Sequence, residues 1–388
     1  MAGTVRPDFE ETAVPSGSDW FSSEFRAQFE KQHDAIGRFN LAIFGKTGVG
    51  KSTLINAIFG EEVAATGIGA PVTKGSRIYI DRVGHLGIVD TQGMEVGKDD
   101  REILSELDKA IKLMRKQPLS DQIHLAWYCV RGLDRRFEEA EADFVRRLDK
   151  LGLPVIMVLT QVPMRDGHFH PDAVALAEHI RSMGLPIVDG LPFLTNAKHD
   201  PFTQTPVHGL MKVLDASFRV APEGVELALT AAQTIDQKRK AWAAERDIVL
   251  AAGSAATAAA VPIPFSDAAM LVPIQLGLMA RIAHIYKIRI ERAALMAVAT
   301  TTAATQGGRA AFTGLLKMVP GAGSLAGGVI GAAVASSFTF ALGQAWLVVC
   351  QRMAGGQLLT QTGAVDTNAV RDAFVKEFTK RMAPIRRK

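Results

Sequence analysis

The sequence predicts an α/β domain, a mostly parallel sheet with helices on both faces, followed by an all-α domain of helical hairpins. Three observations predict it. From Phe39 to about Val220, short apolar runs alternate with helical segments; a glycine-rich turn joins the first of these runs to a helix; and after Val220 the chain becomes Ala- and Gly-rich, with prolines interrupting apolar stretches. Strand–helix alternation is the pattern of parallel crossovers, and such sheets bind ligands at the C-terminal ends of their strands.

The elements follow in order. Residues 1–18 carry Pro, Gly and Ser and predict a disordered tail, and Asp19–Arg38 predicts an amphipathic helix with Phe21, Phe25 and Phe29 on one face, so 1–38 is a tail plus a helix that packs on the following domain or a partner. The strands expected in 39–220 are Phe39–Phe44, Ser76–Ile80, Leu86–Val89, Ile123–Val130, Val155–Thr160 and Pro192–Thr195. Helices are expected at Thr53–Phe59, Arg135–Leu151 and Pro171–Met183. A basic helical connector occupies 221–247, and the C-terminal helical domain takes 248–388. There, Val261-Pro262-Ile263-Pro264 and Val319-Pro320-Gly321-Ala322-Gly323 each read as the proline turn of a hairpin, and Thr367–Met382, capped by Asp366 or Thr367, closes the chain with Val370, Phe374 and Phe378 on one face.

Composition narrows the function classes. At 388 residues two domains are expected, and a net charge of only +4 leaves no broad nucleic-acid footprint, so no nucleic-acid partner is expected. The basic residues collect late, at Lys238-Arg239-Lys240, from Arg281 to Arg292 and at Arg386-Arg387-Lys388, where they form solvated faces or meet an anionic membrane surface. Two cysteines, Cys129 and Cys350, in apolar runs speak against a disulfide framework and for a reducing compartment. The N-terminus has no apolar signal core, so residence on the cytoplasmic side, at the inner membrane, is expected. His168 and His170, in a Pro/Gly-rich loop without cysteine nearby, read as solvent-facing rather than metal-binding.

Chemistry is concentrated at Gly45-Lys46-Thr47-Gly48-Val49-Gly50-Lys51-Ser52, a full G-x-x-x-x-G-K-[ST] pattern between a strand and a helix that begins with Thr53. A strand ending in such a turn aims successive backbone N–H groups and a helix dipole at one point, which suits a polyphosphate. Lys51 would reach the terminal phosphates and Ser52 would hold Mg2+. A second motif, Asp90-Thr91-Gln92-Gly93, follows the strand at 86–89, where magnesium and the last phosphate would sit.

Taken together, GKTGVGKSTLINAIFG, Pro71-Val72-Thr73 and Asp90-Thr91-Gln92-Gly93 resemble a small P-loop GTPase of the Era-like or septin-related kind over roughly 39–220. The stretch VPIPFSDAAMLVPIQLGLMARI and the later MVPGAG resemble a helical domain of unknown function that follows such domains in bacterial membrane-associated proteins. The resemblance implies GTP/GDP and Mg2+ as cofactors, a first-switch-loop threonine on magnesium and γ-phosphate (Thr73, with Thr66 as runner-up), and Lys51, Thr73 and Gly93 as the catalytic set. It also implies Ser52, Thr73 and Asp90 at the metal. Base recognition departs from the pattern: [NT]-K-x-D is replaced by Thr160-Gln161-Val162-Pro163, with proline at the carboxylate position. Gln161 would pack along the base, Asp166 would swing in or remain a solvated loop residue, and Asn196-Ala197-Lys198 resembles the loop that contacts the guanine oxygen. Met94 follows Gly93 where a water-orienting glutamine is common, and Gly48 replaces the asparagine of potassium-activated relatives, so slow turnover with acceleration by a nucleotide-dependent homodimer or a partner is implied.

The C-terminal domain is read as membrane-associated. Met318–Gln351 has no charged residue, and Gly323, Gly327 and Gly331 fall at four-residue spacing, a face on which helices approach closely. The rival is a soluble Ala-rich bundle, favoured by Lys317 beside the second turn. The expected function is a GTP-binding switch or assembly factor with slow hydrolysis; the alternatives are a non-hydrolysing nucleotide-dependent scaffold and a soluble ATPase.

Overall fold

The computed structural model describes residues 19–60, 68–73, 76–90, 105, 108–109, 111–134, 136–259, 267–302 and 331–382. These fall into two compact units. One is His33–Ala243 with His284–Lys287; the other is the described part of 1–32, 244–283 and 288–388.

The first unit is built on a sheet of β1 (Phe39–Phe44), β2 (Ile68–Thr73), β3 (Ser76–Ile80), β4 (Leu86–Asp90), β5 (Leu125–Arg131), β6 (Val155–Thr160) and β9 (Phe193–Leu194), in the order β2-β3-β4-β1-β5-β6-β9. From β4 to β9 every pairing is parallel, and β2 and β3 form an antiparallel margin. A separate hairpin, β7 (Met164–Arg165) with β8 (His168–Phe169), follows β6. The six strands expected from the sequence are present within two residues at each end; β2 was not expected, because Gly69 and Pro71 break its apolar run.

The central strands read as unbroken apolar runs because both faces are buried. Leu41, Ile43, Leu125, Trp127, Ile156 and Val158 join one core, and their neighbours Ala42, Phe44, Ala126, Tyr128, Met157 and Leu159 join the other. The first core is covered by α2 (Lys51–Phe59), α5 (Leu210–Val220) and α6 (Glu226–Ala232); the second by α3 (Glu139–Lys150) and α4 (Pro171–Ser182). Trp127 shows the packing: its ring stacks on Phe59 with centroids 5.6 Å apart, and its Nε1–H donates to Ser217 Oγ at 3.1 Å. Helix α3 starts with a reciprocal capping box between Glu138 and Glu141. Helix α4 starts with His170, whose Nδ1 accepts from the Asp172 N–H at 3.2 Å ahead of Pro171, so this exposed histidine is a cap.

Segment 221–247 contributes to the core: Ala228, Leu229, Ala231 and Ala232 of α6 have no exposed surface. Helix α7 runs unbroken from Gln237 to Ala259, so the change of unit falls within a helix, at Ala243/Ala244.

The second unit contains α1 (Asp19–Ile36) up to Gln32, the latter half of α7, α8 (Asp267–Ile285) up to Ala283, α9 (Ile290–Thr302), α10 (Ala332–Ala354) and α11 (Thr367–Met382). Phe21, Phe25 and Phe29 of α1 are buried as their spacing predicts, and they belong to this unit. Arg281 of α8 ties the pieces together, donating to Asp247 at 2.7 Å and to Gln32 at 3.2 Å. Gly343 allows α10 to approach closely, since a Cβ there would meet Ile248 at 2.8 Å and Leu278 at 2.9 Å. Phe338, Phe374 and Phe378 join α10 to α11. Helix α10 is long and apolar enough to cross a membrane by length and composition, and 67% of its most apolar stretch is buried. Both proline turns, Lys317, Gly323 and Gly327 lie outside the described residues, and Gly331 caps α10.

Candidate nucleotide-binding site

The phosphate loop leaves β1 and enters α2 with three glycines in left-handed backbone, at φ 129° for Gly45, 81° for Gly48 and 94° for Gly50. Gly45 is also held by space: a Cβ there would lie 2.1 Å from the Cys129 carbonyl oxygen of β5, the strand parallel to β1. Burial pushes the Cys129 thiol up to about 12, only partly offset by the nearby Lys51, so it is an inert wall. Val49 is buried and anchors the loop, while Thr47 and Gly48 are exposed. Lys51 Nζ donates to Gly45 O at 2.7 Å and Lys46 O at 3.0 Å, placing its charge inside the loop's curve. Lys46 pairs at 3.4 Å with Glu141 of α3, and Ser52 and Thr53 are exposed on the first turn of α2.

The end of β6 locks this loop. Thr160 is buried, and its hydroxyl donates to Val49 O and lies 3.2 Å from Val130 O, tying the phosphate loop to β5 and β6. Gln161, at φ 53°, sends its Nε2–H to Gly48 O at 3.2 Å and lies over Gly50. The replaced motif therefore keeps two structural jobs, a tether and a side chain lying along the loop.

Beside this lock is a cavity of about 480 Å³ lined by Gly50, Thr53, Thr160, Gln161, Ala197 and Lys198, among others. The loop after β9 is folded by Asn196, whose amide Nδ2 donates to Lys198 O at 2.7 Å and Pro206 O at 3.0 Å, so its side chain shapes the loop. The N–H groups of Ala197 and Lys198 have no hydrogen-bond partner among the described residues. Asp166 lies elsewhere, exposed at φ 51° in the β7–β8 turn, and does not line the cavity. The cavity is also lined by Arg131, His199, Asp200 and Thr205, which sequence reasoning missed; the only hint was an acidic residue four positions after Asn196.

Asp90 ends β4 in register with Ile43 of β1, next to the phosphate loop. Thr73 is not in a free loop as expected: it ends β2, paired with Ser76 on the antiparallel margin. Thr66, Thr91, Gln92, Gly93 and Met94 lie outside the described residues.

Residues 40–161 match the family described as 50S ribosome-binding GTPase. The chain is 30% identical over 196 residues to GTPase Der of Nitrobacter winogradskyi, covering 48% of this chain and 36% of that protein. It is 28% identical over 193 residues to GTPase Der of Rhodopseudomonas palustris, again covering 48% and 36%. The domain carrying the loop is an Era-like P-loop GTPase domain. The chain thus spans about a third of the length of the curated relatives it matches. An Era variant of Aquifex aeolicus bound to GDP·AlF4− superposes with a TM-score of 0.32 at 16% identity, over 55% of this chain and 67% of that one, too loosely to add to the topology above.

The GTPase domain offers magnesium a hydroxyl rather than a cage. Among the described residues no three His, Cys, Asp or Glu side chains gather as a metal site. Magnesium in phosphate sites takes one or two protein oxygens and completes its shell with phosphate and water, which fits the exposed Ser52 hydroxyl with Asp90 closing the neighbouring strand.

Proposed function

We propose that this chain is a GTP/GDP-binding, Mg2+-dependent GTPase of low intrinsic rate that acts as a nucleotide-controlled switch or assembly factor at a membrane, with a nucleotide-dependent homodimer as its active form. The observation that carries the nucleotide reading is the locked phosphate loop: Thr160 and Gln161 hold Val49 O and Gly48 O, which fixes the direction of the loop N–H groups. Preorganised donors are what a phosphoryl site needs, because they do not reorganise as charge develops. Lys51 moves from Gly45 O and Lys46 O onto the β- and γ-phosphates, Ala197 and Lys198 present N–H groups to a base oxygen, and the stem of Gln161 lies along the base. Ser52 and Asp90 would hold the magnesium, with Thr73 as the further oxygen that the resemblance assigns to it. Bound magnesium neutralises charge on the transferring phosphoryl. The low rate rests on the sequence, where Met94 stands at the water-orienting position.

Homologues named GTPase Der support hydrolysis by this domain. Ribosome binding belongs to the description of the matched family. With a net charge of +4, our reading assigns no nucleic-acid partner.

Single-turnover hydrolysis of labelled GTP and ATP with Mg2+ tests the proposal. The expected result is slow phosphate release from GTP, faster as protein concentration rises, and little from ATP. Binding of GTP without turnover at any concentration would return the chain to a scaffold; equal use of ATP would overturn the choice of base; co-sedimentation with ribosomal subunits would overturn the assigned partners.

A further inference from the structure

The phosphate loop carries its whole motif, but the base side lacks the expected carboxylate. Guanine presents two adjacent donors, N1–H and N2–H, and a carboxylate accepts both at once. At the position where the family's motif carries that acid, Pro163 offers neither a carboxylate nor an N–H. Asp166 is exposed in the β7–β8 turn and does not reach the cavity lining.

Among the described residues that line the cavity beside Gln161, Asp200 is the sole carboxylate, and it stands with Arg131, Lys198 and His199. It follows Ala197 by three positions in the same loop, so an acceptor pair and the unpartnered Ala197 N–H line the same cavity. The loop holds the carboxylate in place. Asp200 Oδ1 accepts from Phe202 N–H at 2.9 Å, Oδ2 accepts from Thr203 Oγ1 at 2.6 Å, and its own N–H donates to Thr205 O at 3.0 Å. Thr205 Oγ1 in turn accepts from the Met164 N–H at 3.3 Å, bracing the loop against the strand hairpin that follows Pro163. Each carboxylate oxygen thus bonds the loop, with the Thr203 N–H adding to the hold, and the lone pairs that remain face a ligand. The bonds from Thr203 and Phe202 also hold the acid below the usual carboxylate range, so it stays ionised.

We propose that Asp200 is the base-specifying residue of this site: its carboxylate takes over recognition of guanine N1–H and N2–H from the loop after β9, replacing the acid lost at Pro163. The inference rests on the guanine-nucleotide reading above and names the residue that enforces it. An adenine edge, which pairs one donor with one acceptor, would set a ring nitrogen against this carboxylate and be rejected.

The test is competition of a fluorescent GTP analogue by GTP, ITP, XTP and ATP on the full chain, comparing the natural protein with Asp200→Asn. ITP lacks the N2 amino group, and an asparagine amide matches the 2-oxo group of xanthine, so a purely structural aspartate has no reason to change the order of bases. The natural protein is expected to prefer GTP over ITP and XTP. Asp200→Asn is expected to weaken GTP by about 10- to 100-fold, the range for a charged hydrogen bond, while improving XTP and leaving the thermal midpoint unchanged. Unaltered GTP preference in Asp200→Asn, or equal loss of GTP and XTP, would overturn the proposal. So would a switch to XTP seen instead in Asp166→Asn. Failure of the natural protein to prefer GTP over ATP would bring down the guanine reading itself, and this proposal with it.

Discussion

Lys51 holds the phosphate loop and is also the residue that must leave it, since its ammonium lies on Gly45 O and Lys46 O, on the inner side of the curve that a phosphate would fill. Lys51→Ala removes that charge without touching the glycines, so it is expected to lower nucleotide affinity at least 10-fold while circular dichroism and the thermal midpoint stay close to those of the natural protein. Calorimetric titration checks it, and unchanged affinity in a folded variant would refute the assignment. Lys51 was legible in the sequence because its job is fixed by neighbours within six positions. Asp200 was not: it reaches the base cavity only because β9 pairs with β6 and the loop beyond β9 folds back through Asp200 and Thr205. His170 faces solvent as its loop setting predicts, and its ring nitrogen also caps the helix 171–182, a role that exposure does not announce.

At the scale of elements, the turn joining β3 and β4 and the short segment 284–287 form a buried polar cluster in the GTPase unit. Asp81 Oδ1 closes the turn by accepting from the Gly84 and Leu86 N–H groups at 2.9 and 3.0 Å, and Lys287 pairs with Asp81 Oδ2 at 3.0 Å while donating to Phe59 O at the end of α2. His85 is fully buried: its Nδ1–H donates to Gly37 O at 2.8 Å, which leaves Nε2 as acceptor for His284 Nδ1, also at 2.8 Å. Burial is the main cause that lowers its pKa to about 4, with the charge on His33 adding to it and the bond to Gly37 opposing. Between pH 6.5 and 4 the unfolded chain binds a proton at this position that the folded chain refuses. Stability is therefore full above about pH 6.5 and falls as pH drops, by roughly 3 kcal/mol once pH 4 is reached. Chemical denaturation at a series of pH values is expected to show that slope in the natural protein and a flatter one in His85→Gln; an identical slope in both would remove His85 as its source. No periodicity announced this cluster, because its members come from four distant stretches. The strands that carry it were legible by contrast, since runs such as Leu41 to Phe44 and Val155 to Leu159 are buried on both faces and read as continuous apolar text.

For the whole molecule, the membrane reading rested on long apolar stretches flanked by basic clusters, and the clusters are less available than the sequence implied. Lys240 is buried, with Nζ donating to Ala231 O and Ile285 O and its pKa driven down by burial; Arg281 is tied to Asp247, and Lys287 to Asp81. Charge runs look alike in sequence whether they face water or a neighbouring carboxylate, which is why composition alone placed them on a surface. Helix α10, long and apolar enough to cross a membrane, is largely buried as well. Helix α7 keeps the most exposed apolar stripe among the described helices: Trp242, Val249 and Leu250 are 60 to 63% exposed at i, i+7 and i+8, with Lys238 on the same helix. An apolar stripe with a tryptophan suits a helix lying in a lipid interface better than one crossing a bilayer. The full chain is therefore expected to float with anionic liposomes, to release at high salt only in part, and to lose flotation in Trp242→Glu/Leu250→Glu while GTP binding persists. A doubly substituted protein that floats as well as the natural one would move the contact to residues 303–330 or to the proline turn at 261–264, and a natural protein that never floats, with GTP or GDP bound, would leave a bundle that works away from lipid.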